Sequence, residues 1–165
     1  MRILYKNKIL EVEQKKTKRL KKPFTIIKSK NAVAIIPLLG NKIVLEKQYR
    51  AAVGKFLYEI PAGKIEKGET PKEAAERELK EETGYEAGTI RHVFSGYSSP
   101  GYLTEKLDFY LAKNLKKGRT HRDSDEIISL RIVPISRALE MIKRHEIVDI
   151  KTIAAILFCN AYIAC

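Results

Sequence analysis

Tryptophan is absent from this chain of 165 residues, and cysteine and methionine occur only twice each. Cys159 and Cys165 both fall in the final apolar segment, and two thiols so placed define neither a disulfide framework nor a metal site. Cys159 is expected to serve as a small apolar packing residue. The three histidines, His92, His121 and His145, have no ligand-like spacing and are expected to be structural or exposed. The longest apolar stretch, IAAILFCNAYIAC, is broken by Asn160 and falls short of the roughly 18 to 20 residues that a membrane span needs. It reads as a buried helix. The N-terminus MRILYKNKIL lacks the apolar core of a secretion signal, so a cytoplasmic protein with no membrane partner is expected. Repeats and low-complexity linkers are missing too, which leaves one domain with its own core. The lack of Trp beside abundant Lys, Glu and Ile resembles thermophile usage.

Acidic charge is also in short supply. Twenty Asp and Glu face 32 Lys and Arg, a formal net charge of +12. Residues 1–30 alone hold eleven Lys and Arg against two Glu, with a dense run at KKTKRLKK. Clustered cations can mark a nucleic-acid footprint. No aromatic side chains are interleaved with this run as base-stacking platforms would be, so a solvated basic arm is expected and a nucleic-acid partner is not.

The rest of the chain alternates strand and helix patterns. KILEVE (8–13) and PFTIIK (23–28) read as short strands. AVAIIPLL (32–39) and KIVLEKQY (42–49) form a hairpin across Gly40-Asn41. An extended FLYEI follows, closed by Pro61-Ala62-Gly63. TIRHVFSGY (89–97) and EKLDFYLAK (105–113) read as strands around a Ser-Ser-Pro-Gly turn, HRDSDE (121–126) as a polar loop, and IISLRIVP as a further strand. Ser136 is expected to cap a helix RALEMIKRHE, and Asp149 to cap the last helix. The fold class is therefore α/β.

One helix has fuller punctuation. Thr70-Pro71-Lys72-Glu73 supplies a hydroxyl N-cap, a proline at the first helical position and a Glu at the third, a capping box. Gly84 supplies the left-handed residue that commonly ends a helix. The expected helix runs from about 71 to 83, within a stretch, 63–85, that carries seven Glu. At helical spacing Glu78, Glu81 and Glu82 share one side, while Ala75 and Leu79 point inward. Like charges at i, i+4 are unfavourable. Hard oxygen donors converging this way suit Mg²⁺ or Mn²⁺, and hence chemistry at phosphate. A solvated Glu-rich helix laced with Lys72 and Lys80 is the bland alternative, and spacing decides against it.

The spacing is Gly63, five residues, Glu69, seven residues, Arg77-Glu78-Leu79, one residue, Glu81-Glu82, one residue, Gly84 and Tyr85. It resembles the complete signature of the Nudix hydrolases, with Tyr85 a mild variation at the last apolar position. The resemblance implies an α/β/α sandwich on a mixed sheet and divalent-cation-dependent hydrolysis of a nucleoside diphosphate derivative. It implies Glu78 and Glu82 as metal ligands, Glu81 as a ligand or a base, and the carbonyl of Ala62 as a further ligand. Arg77 would hold a carboxylate in one rotamer, or stand as an exposed i, i+4 partner; Glu69 would orient the loop.

Outside that box, EKQYR (46–50), YEIPAGKIE (58–66) and SSPGYLTEK (98–106) resemble the ADP-ribose pyrophosphatase branch, which carries a proline where Pro100 stands. The branch implies cleavage of ADP-ribose to AMP and ribose 5-phosphate. Arg50 would contact phosphates or adenosine, or remain a rim arginine. Glu59 would bind substrate or order the loop, and Tyr97 and Tyr102 would line the pocket or pack. The base would lie on the loop after the box, where Glu126 is preferred to Asp123 and Asp125 for its reach. Residues 1–30 would form an arm exchanged between subunits of a homodimer, and residues 31–165 the hydrolase domain. The rivals are a Nudix enzyme for a nucleotide sugar, dinucleoside polyphosphate or nucleoside triphosphate, and a non-catalytic Nudix-fold module that binds RNA or a protein.

Overall fold

The structure, a computed structural model, describes residues 2–7, 10–19, 22–118 and 128–162. Three N-terminal strands, β1 (Arg2–Lys6), β2 (Glu11–Lys15) and β3 (Phe24–Lys28), make an antiparallel sheet of their own. β1 was not expected, since its RILYK lacks a buried face and every residue in it is exposed. The second sheet contains β4 (Ala32–Leu39), β5 (Lys42–Arg50), β6 (Lys55–Glu59), β7 (Ala62–Lys64), β8 (Tyr85–Tyr97), β9 (Lys106–Lys117) and β10 (Ile128–Pro134). Its main path runs β10-β5-β4-β9-β8, with β6 on β5 and β7 on β4.

β4 is the axis of the molecule. It pairs in parallel with β9 and antiparallel with β5 and β7, so the sheet is mixed. A strand covered on both faces reads as a continuous apolar run, as AVAIIPLL does. Ala34, Ile36 and Leu38 face one core with α2 (Ile135–Lys143) and α3 (Ile150–Tyr162), which contribute Ala138, Met141, Ala155 and Ile156. Val33 and Ile35 face the other core, with Ala74, Ala75 and Leu79. Alternation along one strand thus builds the α/β/α sandwich. Buried Cys159 packs in the first core, and burial pushes its thiol up to about 11.

The helix over 71–83 changes character midway. Its start is as expected: Thr70 Oγ1 accepts from the Glu73 amide while Glu73 accepts from the Thr70 amide. The α-helix, α1, covers Pro71–Glu78 only, and a π-helical turn over Leu79–Thr83 carries the chain to Gly84 at φ 72°. β8 begins at Tyr85, earlier than the expected 89. Asp149 caps α3 by accepting from the Thr152 amide. Ser136 does not cap α2. Pro134 occupies the N-cap, and the Ile135 amide donates to the Asn41 carbonyl at the hairpin turn.

The small sheet is tied to the large one through β3. The Ile27 amide donates to the Tyr102 carbonyl at 2.7 Å, and the Thr104 amide to the Ile27 carbonyl at 3.0 Å. Among the described residues no helix is long and apolar enough to cross a membrane.

Candidate active site

β7 brings a backbone with no side chain against the acidic helix. The carboxylate of Glu78 lies where a Cβ on Gly63 would stand, so only glycine leaves room for it there. One residue earlier, the Ala62 amide donates to Glu82 Oε2 at 2.9 Å. The hairpin-like entry at 61–64 and the helix thus fix each other through two of the three glutamates.

Arg77 organises the remainder. Its Nε and Nη2 donate to the two oxygens of Glu69 at 2.8 and 3.1 Å, the paired geometry that suits a guanidinium. Its Nη1 donates to Glu78 Oε1 at 2.7 Å and Glu81 Oε2 at 3.0 Å, and Nη2 also reaches the Lys64 carbonyl. Glu69 in turn accepts from the Glu66 amide, which closes the loop before α1. The π-helical turn separates two roles: Glu82 is buried, while Glu81 is 43% exposed.

The electrostatics are unbalanced. Three carboxylates, Glu69, Glu78 and Glu81, share the one Arg77 guanidinium, while Glu82 accepts from the Ala62 amide. The Arg77 guanidinium holds Glu69 below the usual carboxylate range. Burial pushes Glu78 the other way, above it, with Glu81 and Glu69 adding to the rise and Arg77 opposing it. Such a site favours a further cation. Its donors are all hard oxygens, which suits Mg²⁺ or Mn²⁺. Among the described residues no group of three or more His, Cys, Asp or Glu closes around one point. A cation held here by Glu78, Glu81, Glu82 and the Ala62 carbonyl would complete its shell with waters and phosphate oxygens, the habit of Mg²⁺.

A cleft of about 850 Å³ opens beside this cluster. Ala62, Gly63 and Lys64 form one wall, Phe94 to Ser98 of β8 and its following turn a second, and Val148 to Lys151 at the start of α3 a third. Arg50 reaches in from the end of β5. Its Nε and Nη2 donate to the two oxygens of Glu59 at 2.7 and 2.8 Å. Glu59 is fully buried in the register position opposite Glu46. Burial works against its charge, but Arg50 and Lys151 outweigh burial and hold it below the usual range.

Of the residues singled out in the sequence, the structure brings Ala62, Gly63, Glu69, Arg77, Glu78, Glu81 and Glu82 together and puts Arg50 and Tyr97 on the cleft. Glu59 lies beneath Arg50. Pro100 and Tyr102 are not on the cleft wall; Tyr102 turns its carbonyl to β3 and is exposed. Asp123, Asp125 and Glu126 lie outside the described residues. Sequence reasoning missed the part that Lys151, Asp149 and buried Glu46 play around Arg50, whose charge is favoured by Glu59 and further by Glu46 and Glu82. For Lys151 a signal existed: a lysine in the first turn of a helix opposes the helix dipole.

A family model described as the NUDIX domain matches residues 28–156. The chain is 42% identical over 136 residues to the methanol dehydrogenase activator of Bacillus methanolicus, covering 81% of this chain and 74% of that one. It is 38% identical over 136 residues, with the same coverage, to the ADP-ribose pyrophosphatase of Bacillus subtilis. It is 38% identical over 120 residues to a GDP-mannose pyrophosphatase of Escherichia coli, covering 67% of this chain and 62% of that one. A crystal structure of an ADP compounds hydrolase superimposes with a TM-score of 0.85, covering 98% of this chain and 90% of that one at 19% identity, which is likeness of fold.

Proposed function

The chain belongs to the Nudix family, and we propose that it hydrolyses the pyrophosphate of ADP-ribose to AMP and ribose 5-phosphate with Mg²⁺ or Mn²⁺. The observation that carries this reading is the Arg77-centred carboxylate cluster packed on Gly63 and opening onto a cleft that holds Arg50. The Bacillus subtilis relative supports ADP-ribose among nucleoside diphosphate derivatives. The Escherichia coli relative supports a second reading, a nucleotide sugar such as GDP-mannose, on the same site.

In this reading Glu78, Glu82, Glu81 and the Ala62 carbonyl hold the cation. When bound, it offsets charge on the phosphates and lowers the pKa of a coordinated water. Arg77 keeps Glu78 and Glu81 in fixed rotamers by hydrogen bonds to both. Arg50 supports the diphosphate through the part of its guanidinium not given to Glu59, and Tyr97 lines the pocket at the cleft wall. Glu126, with Asp125 and Asp123 as alternatives, takes the proton of the water that attacks phosphorus; a base must come within about 3 Å of that water. Residues 1–30 form the dimerisation arm in this reading, supported by Ile3, Leu4 and Tyr5 exposed along β1. The protein acts in the cytoplasm on a small-molecule substrate.

The test is incubation with ADP-ribose, GDP-mannose, a diadenosine polyphosphate and 8-oxo-dGTP, with Mg²⁺ or EDTA, and chromatography of the products. Metal-dependent AMP and ribose 5-phosphate from ADP-ribose, ahead of the other three, is the expected result, and Glu126→Gln should then lower kcat. Preference for GDP-mannose would move the reading to the nucleotide sugar. Light scattering that gives a monomer would remove the exchanged arm.

A further inference from the structure

The first turn of a helix is the wrong place for a lysine, because the positive end of the helix dipole repels it. Lys151 nevertheless sits there with only 13% of its side chain exposed. Its ammonium donates to Glu59 and, at 3.0 Å, to Asp149. Asp149 is fixed in turn by the amide and hydroxyl of Thr152, and the Thr152 hydroxyl accepts from the Ile60 amide beside Glu59. Glu59 meets Arg50 on its other side.

These four groups form a balanced set, Arg50 and Lys151 against Glu59 and Asp149. Three of them face the cleft, and Glu59 lies just beneath it. Their surroundings are acidic already, since Glu46 and Glu82 both act on Arg50. Without Lys151 the floor would carry excess negative charge at the place where an anionic substrate has to settle. Burial of Glu59 and Lys151 amplifies that excess, because little water reaches them to screen it.

We infer that Lys151 is a positioning residue for substrate: it offsets the joint charge of Glu59, which Arg50 contacts, and Asp149, so that the Arg50 guanidinium acts on the diphosphate instead of being cancelled by Glu59. The inference rests on the reading of the substrate as a nucleoside diphosphate derivative. Lys151 acts through Arg50, since its ammonium is already committed to two carboxylates.

The experiment compares wild type, Lys151→Met, Asp149→Asn and the double variant. Each is measured by steady-state kinetics on the substrate that wild type cleaves, and by calorimetric titration with inorganic pyrophosphate, which needs no turnover. Lys151→Met should raise KM and weaken pyrophosphate binding by about tenfold, with kcat changed by less than about threefold. The double variant restores the charge balance and should return both values to within about threefold of wild type. A lysine that merely anchors α3 would give no such recovery. The inference is overturned if the double variant stays as impaired as Lys151→Met, or if kcat falls while KM and pyrophosphate binding hold. Should Lys151→Met fail to fold, Lys151→Arg keeps the charge. It should bind pyrophosphate as wild type does, and a tenfold loss at an unchanged Tm would overturn the inference. If wild type cleaves none of the four nucleotides yet binds pyrophosphate in a Lys151-dependent way, the hydrolase reading fails and this one stands.

Discussion

Replacing Gly63 by alanine separates the stability of this protein from its chemistry. A Cβ at Gly63 would stand 2.0 Å from Glu78 Cδ and 1.9 and 2.4 Å from its two oxygens. An ordinary contact needs about 3.4 Å, so the carboxyl carbon must retreat by about 1.4 Å. The displaced group is the end of a flexible side chain, and the alanine sits in extended β7, so the fold absorbs the change at little cost. The chemistry does not. A carboxylate moved that far loses its 2.7 Å bond to Arg77 or drags Arg77 with it, and a misplacement near 1 Å costs on the order of 100-fold in rate. Gly63→Ala should therefore lower kcat/KM about 100-fold or more while Tm falls by no more than about 3 °C. Calorimetry and a product assay on one preparation suffice. Activity within threefold of wild type at an unchanged Tm would refute the idea that Glu78 must lie against this backbone.

Arg77→Lys removes a planar donor that serves three carboxylates, and an ammonium cannot span them; kcat/KM should fall about 100-fold, with the apparent metal affinity falling alongside in a Mg²⁺ titration. Glu59→Gln leaves Arg50 and Lys151 without their shared carboxylate. Because Arg50 is 40% exposed, the loss should be about 2 to 3 kcal/mol, below that of a fully buried pair. The native pKa of Glu59 lies below its ordinary 4.5, so its contribution is present above 4.5 and is lost as pH falls through the lowered value. Urea unfolding should show the gap between wild type and variant at pH 7 and its closure in acid. Thr70→Ala takes away the N-cap of α1 and should cost about 1 kcal/mol with activity kept within about twofold, read from urea midpoints and the same product assay.

What could be read from the chain was whatever lay close together in it. The capping box at Thr70 and Glu73, the hairpin at Gly40-Asn41 and the Asp149 cap are each set by neighbours a few residues apart. The carboxylate cluster was legible for the same reason, since Glu69 to Glu82 span one loop and one helix. The Glu59, Lys151 and Asp149 network was not, because it joins β6 to α3 across the core and no local pattern records that contact. Nor was the early end of α1 at Glu78. Leu79-Lys80-Glu81-Glu82-Thr83 has the composition of an ordinary helix, and only packing against the sheet shows where the helix widens. Ser136 misled because a hydroxyl near a helix start is a common cap, while Pro134 two residues earlier had already set the chain direction.

That widened turn limits how the site could be moved or copied. On a straight α-helix Glu78 and Glu82 would stack one above the other on a single stripe. Here the π-helical turn lets Glu82 swing inward to the Ala62 amide while Glu81 stays out with Arg77. Transplanting the residues 71–83 onto a regular helix in another scaffold would carry every side chain and lose the arrangement. A single-residue deletion between 79 and 83 would do the same within this protein, by shifting register and not by removing a functional group. The information for the site is held as much in the count of residues per turn as in their identities.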